Sequence, residues 1–127
     1  MYSIGGPHPL REPCRIVFEK IKHGLIQVVT NTEVLQEILY RFFSLKRYPQ
    51  GEAAYTSTVE ICAEILPVTL KDTDLALDLL KKYAGITPRD AVHAATMIHH
   101  DIKEILSTDS HFDLIKEIRR ISPPLSP

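Results

Sequence analysis

Short β-branched segments alternate with amphipathic helical segments along this chain, and this alternation limits the possible folds more than any other feature. The segments "LIQVVT" at 25–30 and "IKEILST" at 102–108 have the composition of strands. The segments "NTEVLQEILYRFFSLKRY" at 31–48 and "TPRDAVHAATMIHH" at 87–100 have the apolar spacing of helices. Strands that alternate with helices form mostly parallel sheets covered by helices. We therefore predict an α/β domain with a central, mostly parallel sheet.

The remaining segments continue the alternation up to a proline-rich tail. We predict further elements in chain order: helices at 9–24 and 51–65, a strand at 66–70, a helix at 71–85 and an edge strand at 119–122. The tail "SPPLSP" at 122–127 cannot continue a helix or a central strand, because proline lacks the amide donor. We therefore expect a single domain over 1–121, followed by this C-terminal tail.

Charge and composition exclude some classes of function. The formal net charge is -1, so there is no overall basic field, and contact with nucleic acid requires a local basic patch. No apolar run reaches the ~18 residues that a membrane span requires, so we expect no membrane partner. The two cysteines, Cys14 and Cys62, lie in helical segments. We expect them to be buried thiols of a cytoplasmic protein rather than a disulfide.

Acidic residues occur where predicted strands end and the next helices begin. Glu33 and Glu37 follow the first strand, Asp90 opens a helix, and Asp109 and Asp113 follow a later strand. The C-terminal ends of parallel strands meet at one edge of the sheet, where ligand sites gather. Carboxylates that converge there repel one another, and a divalent cation such as Mg²⁺ removes that repulsion. The sequence therefore predicts a metal site at this edge.

Each acid also has a purely structural interpretation. Thr87 and Asp90 have the positions of a helix N-cap and its capping-box acid. Glu37 precedes Arg41 by four residues, which is the spacing of an exposed helical ion pair. Asp109 alone is typical of an Asx turn after a strand. On these residues taken singly, both interpretations stay open.

Three segments resemble, in order and spacing, motifs of the PIN-domain family, and in particular of its VapC-type ribonuclease toxins. They are "VVTNTEVLQEILYRF", "ITPRDAVHAATMIHH" and "ILSTDSHFDLI". The resemblance covers nearly the whole chain before the tail. It implies a three-layer αβα sandwich around the parallel sheet, and an endoribonuclease that cleaves single-stranded RNA with Mg²⁺ or Mn²⁺.

The resemblance also implies roles for individual residues. The family's catalytic, metal-binding acids fall on three positions of this chain: Glu37, Asp90 and Asp109. Asp113 is implied as an auxiliary metal ligand. Asn31 stands where the family often has a small hydroxyl residue, and Ser107 matches a position that helps to order the acids.

A mechanism and partners are implied in the same way. The cations would activate a water molecule for attack on the phosphorus, so no protein nucleophile is needed. Members of this family commonly dimerise and usually pair with a small antitoxin whose tail covers the site. We therefore expect an RNA substrate, an antitoxin partner and a homodimer. The alternative is a catalytically impaired PIN-like module that binds RNA or an antitoxin without cleavage.

The family's first motif, a buried strand that ends in an aspartate, has no counterpart here. The segment "MYSIGG" at 1–6 resembles the stretch that comes just after such a strand. Loss of a central strand removes a large part of the folding stability of a domain of this size. One explanation is that Met1 is an internal methionine of a longer natural protein, in which case an extended chain is more stable and cleaves RNA. The other is a degenerate member that folds around the gap or lets a partner fill it.

Overall fold

The computed structural model describes residues 19–20, 23–24, 27–107 and 109–121. The elements that it defines there are, in chain order, β1 (Val29–Asn31), α1 (Thr32–Ser44), α2 (Tyr48–Ile61), β2 (Glu64–Leu66), α3 (Leu70–Lys82), α4 (Pro88–His99), β3 (Glu104–Leu106), a 3-10 helix (Ser110–Leu114) and β4 (Arg119–Ile121). They fall into two compact units, one within Lys20–Pro67 and the other beginning at Val68. We describe each unit by itself.

Parallel strand pairing is confirmed in both units. In the first unit β1 pairs with β2, and in the second β3 pairs with β4, each in parallel register. The predicted edge strand near the C-terminus is therefore present as β4. Along the chain, two α-helices lie between β1 and β2, and a short 3-10 helix lies between β3 and β4. None of the helices among the described residues is long and apolar enough to cross a membrane.

Several predicted boundaries are wrong, among them those of β2 and α2. The strand expected at 66–70 lies at Glu64–Leu66 instead, because Pro67 lacks an amide donor and the Thr69 side chain caps a helix that begins at Leu70. The helix expected at 51–65 begins earlier, at Tyr48, with a proline in its first turn. The predicted helix at 9–24, with Cys14, lies mostly outside the described residues, as does the tail.

The first unit is built on the helix pair α1 and α2. Asn31 caps α1, since its side chain accepts hydrogen bonds from the amides of Glu33 and Val34 at 3.1 and 3.4 Å. Gly51 lets α2 approach α1 closely, because a Cβ atom there would lie 2.9 Å from Phe42 Cβ. Cys62 is a buried free thiol, as expected, and burial raises its pKa.

The second unit contains the larger described core. Its buried apolar residues come from α3, α4, the loop between them and the segment around the 3-10 helix: Ala76, Leu79, Ile86, Ala91, Ala94, Ala95, Met97, Phe112, Ile115 and Ile118. The three alanines of α4 have no exposed surface, so their small side chains let neighbouring elements pack directly against the helix. This packing fixes the start of α4, which carries Asp90.

Candidate metal centre

Asp90 caps a helix with one carboxylate oxygen, and its other oxygen accepts no hydrogen bond from the described residues. Its side chain has no exposed surface, and its Oδ2 accepts a hydrogen bond from the Thr87 amide at 3.1 Å. In return, the Thr87 hydroxyl accepts one from the Asp90 amide at 3.2 Å, which completes the capping box expected from the sequence. Oδ1 is buried and has no hydrogen-bond partner among the described residues. A buried polar atom left in this way costs roughly 1–3 kcal/mol, which a bound cation would offset.

Asp109 is held beside Asp90 by the chain that follows β3. The Ser107 hydroxyl accepts a hydrogen bond from the Asp109 amide at 3.0 Å. Asp109 Oδ1 in turn accepts one from the His111 amide at 2.9 Å, so the Asx-turn interpretation of Asp109 is also correct. One ligand atom each from Asp90, Asp109 and His111 lies within 4.8 Å of the other two. The structure thus brings together the two aspartates that the sequence placed at this edge.

His111 belongs to this cluster, and the sequence reasoning missed it. Its Nδ1 atom lies 3.0 Å from Asp109 Oδ1 and 4.0 Å from Asp90 Oδ2. The signal was present in "STDSHFD", where a histidine stands two residues after the acid that follows a strand. The 3-10 helix that begins at Ser110 reverses the direction of the chain. His111 therefore lies next to Asp109, which stands two residues before it.

Asp113 lies in the same 3-10 helix but bonds to Arg120. Arg120 donates from Nε to one carboxylate oxygen at 2.9 Å and from Nη2 to the other at 3.0 Å. These hydrogen bonds hold the pKa of Asp113 below its ordinary value and raise the pKa of Arg120. Arg120 also donates to the Ser107 carbonyl at 3.3 Å. The role of Asp113 as an auxiliary metal ligand stays a prediction.

Glu37 and Asn31 lie in the other unit. Glu37 is a partly buried residue of α1, one turn and a half after the cap. Asn31 is 3% exposed, and it fixes the start of the helix that carries Glu37. Their roles at the metal site stay predictions.

The donor atoms of the cluster fit a divalent cation. Carboxylate oxygens and an imidazole nitrogen are common ligands of Mn²⁺ and related ions. In an octahedral site with bonds of ~2.1 Å, neighbouring donors lie about 3.0 Å apart and opposite donors about 4.2 Å apart. His111 Nδ1 lies 3.0 Å from Asp109 Oδ1, which agrees with neighbouring donors, and 4.0 Å from Asp90 Oδ2, the oxygen that also caps α4. The spare oxygen of Asp90 gives the same indication independently.

Comparison with known proteins agrees with the resemblance noted in the sequence. The profile described as "PIN domain" matches residues 1–118. The chain belongs to the PIN domain family. This PIN domain is 35% identical over 122 residues to the VapC ribonuclease Mb1869c of Mycobacterium bovis, and equally to ribonuclease VapC13 of Mycobacterium tuberculosis. These alignments cover 96% of this chain and 93% of each relative.

A further relative is ribonuclease VapC23 of Mycobacterium tuberculosis, which is 31% identical to this PIN domain over 109 residues, 86% of each chain. No solved structure matches this PIN domain. The family match confirms the α/β, PIN-like fold that the sequence predicts, and the parallel strand pairs agree with it.

Proposed function

We propose that this PIN domain is a metal-dependent endoribonuclease that cleaves single-stranded RNA and acts as the toxin of a toxin–antitoxin pair. The observation that carries the proposal is the Asp90 carboxylate, which is fully buried, keeps one oxygen without a described partner and lies beside Asp109. The relatives support the choice of substrate, since they are named ribonucleases. A buried acid beside a partly exposed one, with no protein nucleophile required, is suited to hydrolysis assisted by a cation.

Asp90 and Asp109 would hold Mg²⁺ or Mn²⁺, with Glu37 as a third acid and Asp113 in an auxiliary role. The bound cation supplies Lewis-acid stabilisation of the charge on the phosphate and acidifies water for attack on phosphorus. The capping box holds the Asp90 carboxylate at the first turn of α4. Both aspartates are thus fixed by backbone hydrogen bonds before any ligand binds, so little reorganisation is needed.

Two further residues would act by positioning. The Ser107 hydroxyl accepts the Asp109 amide hydrogen bond and so orders the turn that presents this acid. Asn31 caps α1 and sets the position at which Glu37 occurs along that helix. Neither side chain needs to touch RNA or a cation for these contributions. Their replacement by alanine should therefore lower the cleavage rate less than replacement of Asp90 does.

Cleavage of a labelled single-stranded RNA in the presence of Mn²⁺ tests the proposal. We expect Asp90→Asn to lower the rate roughly 100-fold or more, because loss of a ligand removes several kcal/mol of transition-state stabilisation. Asp74→Asn, which neutralises an exposed acid of α3, is the matched control and should cleave like the wild type. Equal cleavage by Asp90→Asn and the wild type would refute the proposed site. Binding of RNA without cleavage by either protein would favour the non-hydrolytic module.

We also propose a small antitoxin as the protein partner, a homodimer as the assembly, and the cytoplasm as the location. Family membership supports these proposals. Large side chains of α1 and α2 with more than a third of their surface exposed agree with a protein-binding face: Leu39, Tyr40, Phe43, Tyr55 and Val59. Light scattering on the isolated chain tests the dimer. Co-expression with a small reading frame, if one adjoins the gene, tests the antitoxin. A monomer in the first measurement, or no complex in the second, would reject the corresponding proposal.

A further inference from the structure

We infer that His111 is a direct ligand of the metal centre, and that its imidazole gives the centre a preference for Mn²⁺ over Mg²⁺. This inference rests on the proposed metal site and adds a residue and an ion preference to it. It concerns a histidine whose ring nitrogen lies within 4.8 Å of ligand atoms of both aspartates.

The first support is the position of the ring. His111 Nδ1 lies 3.0 Å from Asp109 Oδ1, and 4.0 Å from Asp90 Oδ2. The Asx turn explains why the His111 backbone lies near Asp109, but it does not require the ring to turn toward the same carboxylate. The His111 side chain is 53% exposed, so packing in the core does not dictate its direction either. The ring instead completes a set of three donors.

A plain ion pair between His111 and Asp109 is the alternative explanation. That pair would account for the 3.0 Å contact, but it leaves the buried Oδ1 atom of Asp90 without a described partner. An ion pair between side chains at this degree of exposure contributes only about 0–1 kcal/mol. A cation shared by all three residues would account for the 3.0 Å contact and, when bound through Asp90 Oδ1, for the oxygen that has no described partner.

The chemistry of the donors sets the expected preference. Mg²⁺ binds oxygen ligands, keeps several of its waters and gives them up reluctantly. An imidazole nitrogen suits first-row transition ions better than it suits Mg²⁺. His111 should therefore add affinity for Mn²⁺ and little affinity for Mg²⁺. Removal of the ring should lower the ratio of the two affinities rather than both affinities together.

The test measures metal binding directly, apart from RNA cleavage. The electron paramagnetic resonance signal of free Mn²⁺ gives its dissociation constant, and competition by Mg²⁺ gives the second. We expect His111→Ala to weaken Mn²⁺ binding roughly 10-fold or more, and Mg²⁺ binding less than about 3-fold. In His111→Asp an oxygen donor replaces nitrogen, and the preference should move toward Mg²⁺. This second variant keeps the test decisive if His111→Ala folds poorly, which circular dichroism would show.

His100→Ala is the matched control. His100 follows the last residue of α4, and its Nδ1 lies 2.9 Å from the Thr96 carbonyl. A rise of 1.5 Å per residue places it about 15 Å along the helix from Asp90. Its replacement should leave both dissociation constants unchanged.

Three results separate failure of this inference from failure of the proposed function. If His111→Ala binds Mn²⁺ as the wild type does, or loses both ions equally, His111 does not set the preference. If the wild type still binds Mn²⁺ and cleaves RNA in that case, the proposed function stands. If the wild type binds neither ion, the metal centre and this inference both fail.

Discussion

Single carboxylates in this protein combine local folding with ion binding. Asp90 uses Oδ2 to complete a helix cap and keeps Oδ1 buried without a described partner, and one of its oxygens lies within 4.8 Å of a ligand atom of Asp109. Asp109 closes an Asx turn with the same oxygen that lies near the His111 ring. A helix cap contributes about 1 kcal/mol, which is comparable to the cost of the unsatisfied oxygen. The structural and functional interpretations of these acids are therefore compatible, and a single residue can satisfy both.

We expect Asp113 to contribute less than Asp90 to the rate of RNA cleavage. Both of its oxygens accept hydrogen bonds from Arg120, and a cation would have to compete with that pairing. We predict that Asp113→Asn lowers Mn²⁺-dependent cleavage of single-stranded RNA less than about 10-fold, which is about 1.4 kcal/mol. Initial rates at saturating Mn²⁺ measure this loss. A loss as large as that of Asp90→Asn would make Asp113 a principal ligand.

At the scale of the elements, a buried acid joins α3 to α4. Asp72 is 2% exposed, accepts a hydrogen bond from the Thr69 amide at 3.0 Å and lies 2.5 Å from His99 Nδ1. Burial by itself raises the pKa of Asp72, but the hydrogen bonds from His99 and Thr69 outweigh it, so the pKa lies below its ordinary 3.8. The charged form is therefore the one that the folded state stabilises.

This acid should make stability depend on pH in the acid range. A group whose pKa is lower in the folded state contributes fully above its unfolded pKa, and the contribution is lost as the pH falls through the folded pKa. We predict that the wild type loses stability below pH ~4. Asp72→Asn should cost about 2 kcal/mol at pH 7, because His99 then lies beside an uncharged partner. It should also show a weaker loss between about pH 4 and pH 2.

Urea unfolding at pH 7 and at successive lower values measures both effects. Asp78→Asn, which neutralises an exposed acid of the same helix, is the control. It should change the free energy of unfolding by less than about 0.5 kcal/mol. An equal acid loss in Asp72→Asn and the wild type would show that Asp72 does not cause it.

The close approach of α1 and α2 depends on Gly51. In an ordinary helix interior, Gly→Ala stabilises by roughly 0.5–1 kcal/mol. Here the new Cβ would lie 2.9 Å from Phe42 Cβ and 2.7 Å from Phe43 Cε1. The Phe43 ring can move, but Phe42 Cβ is fixed to the helix backbone, so we predict that Gly51→Ala destabilises by about 1–2 kcal/mol.

Thermal unfolding checks this sign. Ser57→Ala, at an exposed position of α2, is the control and should be neutral or slightly stabilising, because alanine is the better helix former. A gain in stability for Gly51→Ala would mean that the two helices separate without cost.

Local sequence patterns predicted which helices and strands occur better than they predicted the residues at which these elements begin and end. Thr87, Pro88 and Asp90 specify a helix start by themselves, and the structure has the expected capping box. The strand β2 was displaced in the prediction because a short apolar run gives no internal boundary. The capping interaction at Thr69 determines that α3 begins at Leu70. Contacts over three residues were thus predicted correctly at Thr87 but missed at Thr69, where the same kind of capping box occurs.

At the scale of the whole molecule, some contacts of the candidate metal centre follow from the sequence and others do not. Topology was sufficient to expect that Asp90 and Asp109 share one edge of a sheet, and they do converge. The pairing of Asp113 with Arg120 and the direction of the His111 ring depend on how a 3-10 helix turns after β3. No periodicity specifies that turn. The functional roles of Glu37 and Asn31 stay predictions, because both residues belong to the other unit.

Ion binding and folding should be linked through Asp90, because the unfolded chain lacks the assembled donors. A ligand at a hundredfold excess over its dissociation constant stabilises the folded state by about 2.7 kcal/mol, or roughly 8 °C in Tm for a domain of this size. We predict that Mn²⁺ raises the Tm of the wild type by this amount and that a chelator reverses the change. Asp90→Asn should lose the response.

The same variant should unfold, without metal, at or above the Tm of the wild type. The amide carries no charge to bury, and its oxygen can still accept the hydrogen bond from the Thr87 amide. Differential scanning calorimetry with and without Mn²⁺ measures all four values. If Asp90→Asn kept the Mn²⁺ response, the ion would bind elsewhere. If the metal-free variant melted well below the wild type, the charge of Asp90 would contribute to folding rather than to ion binding.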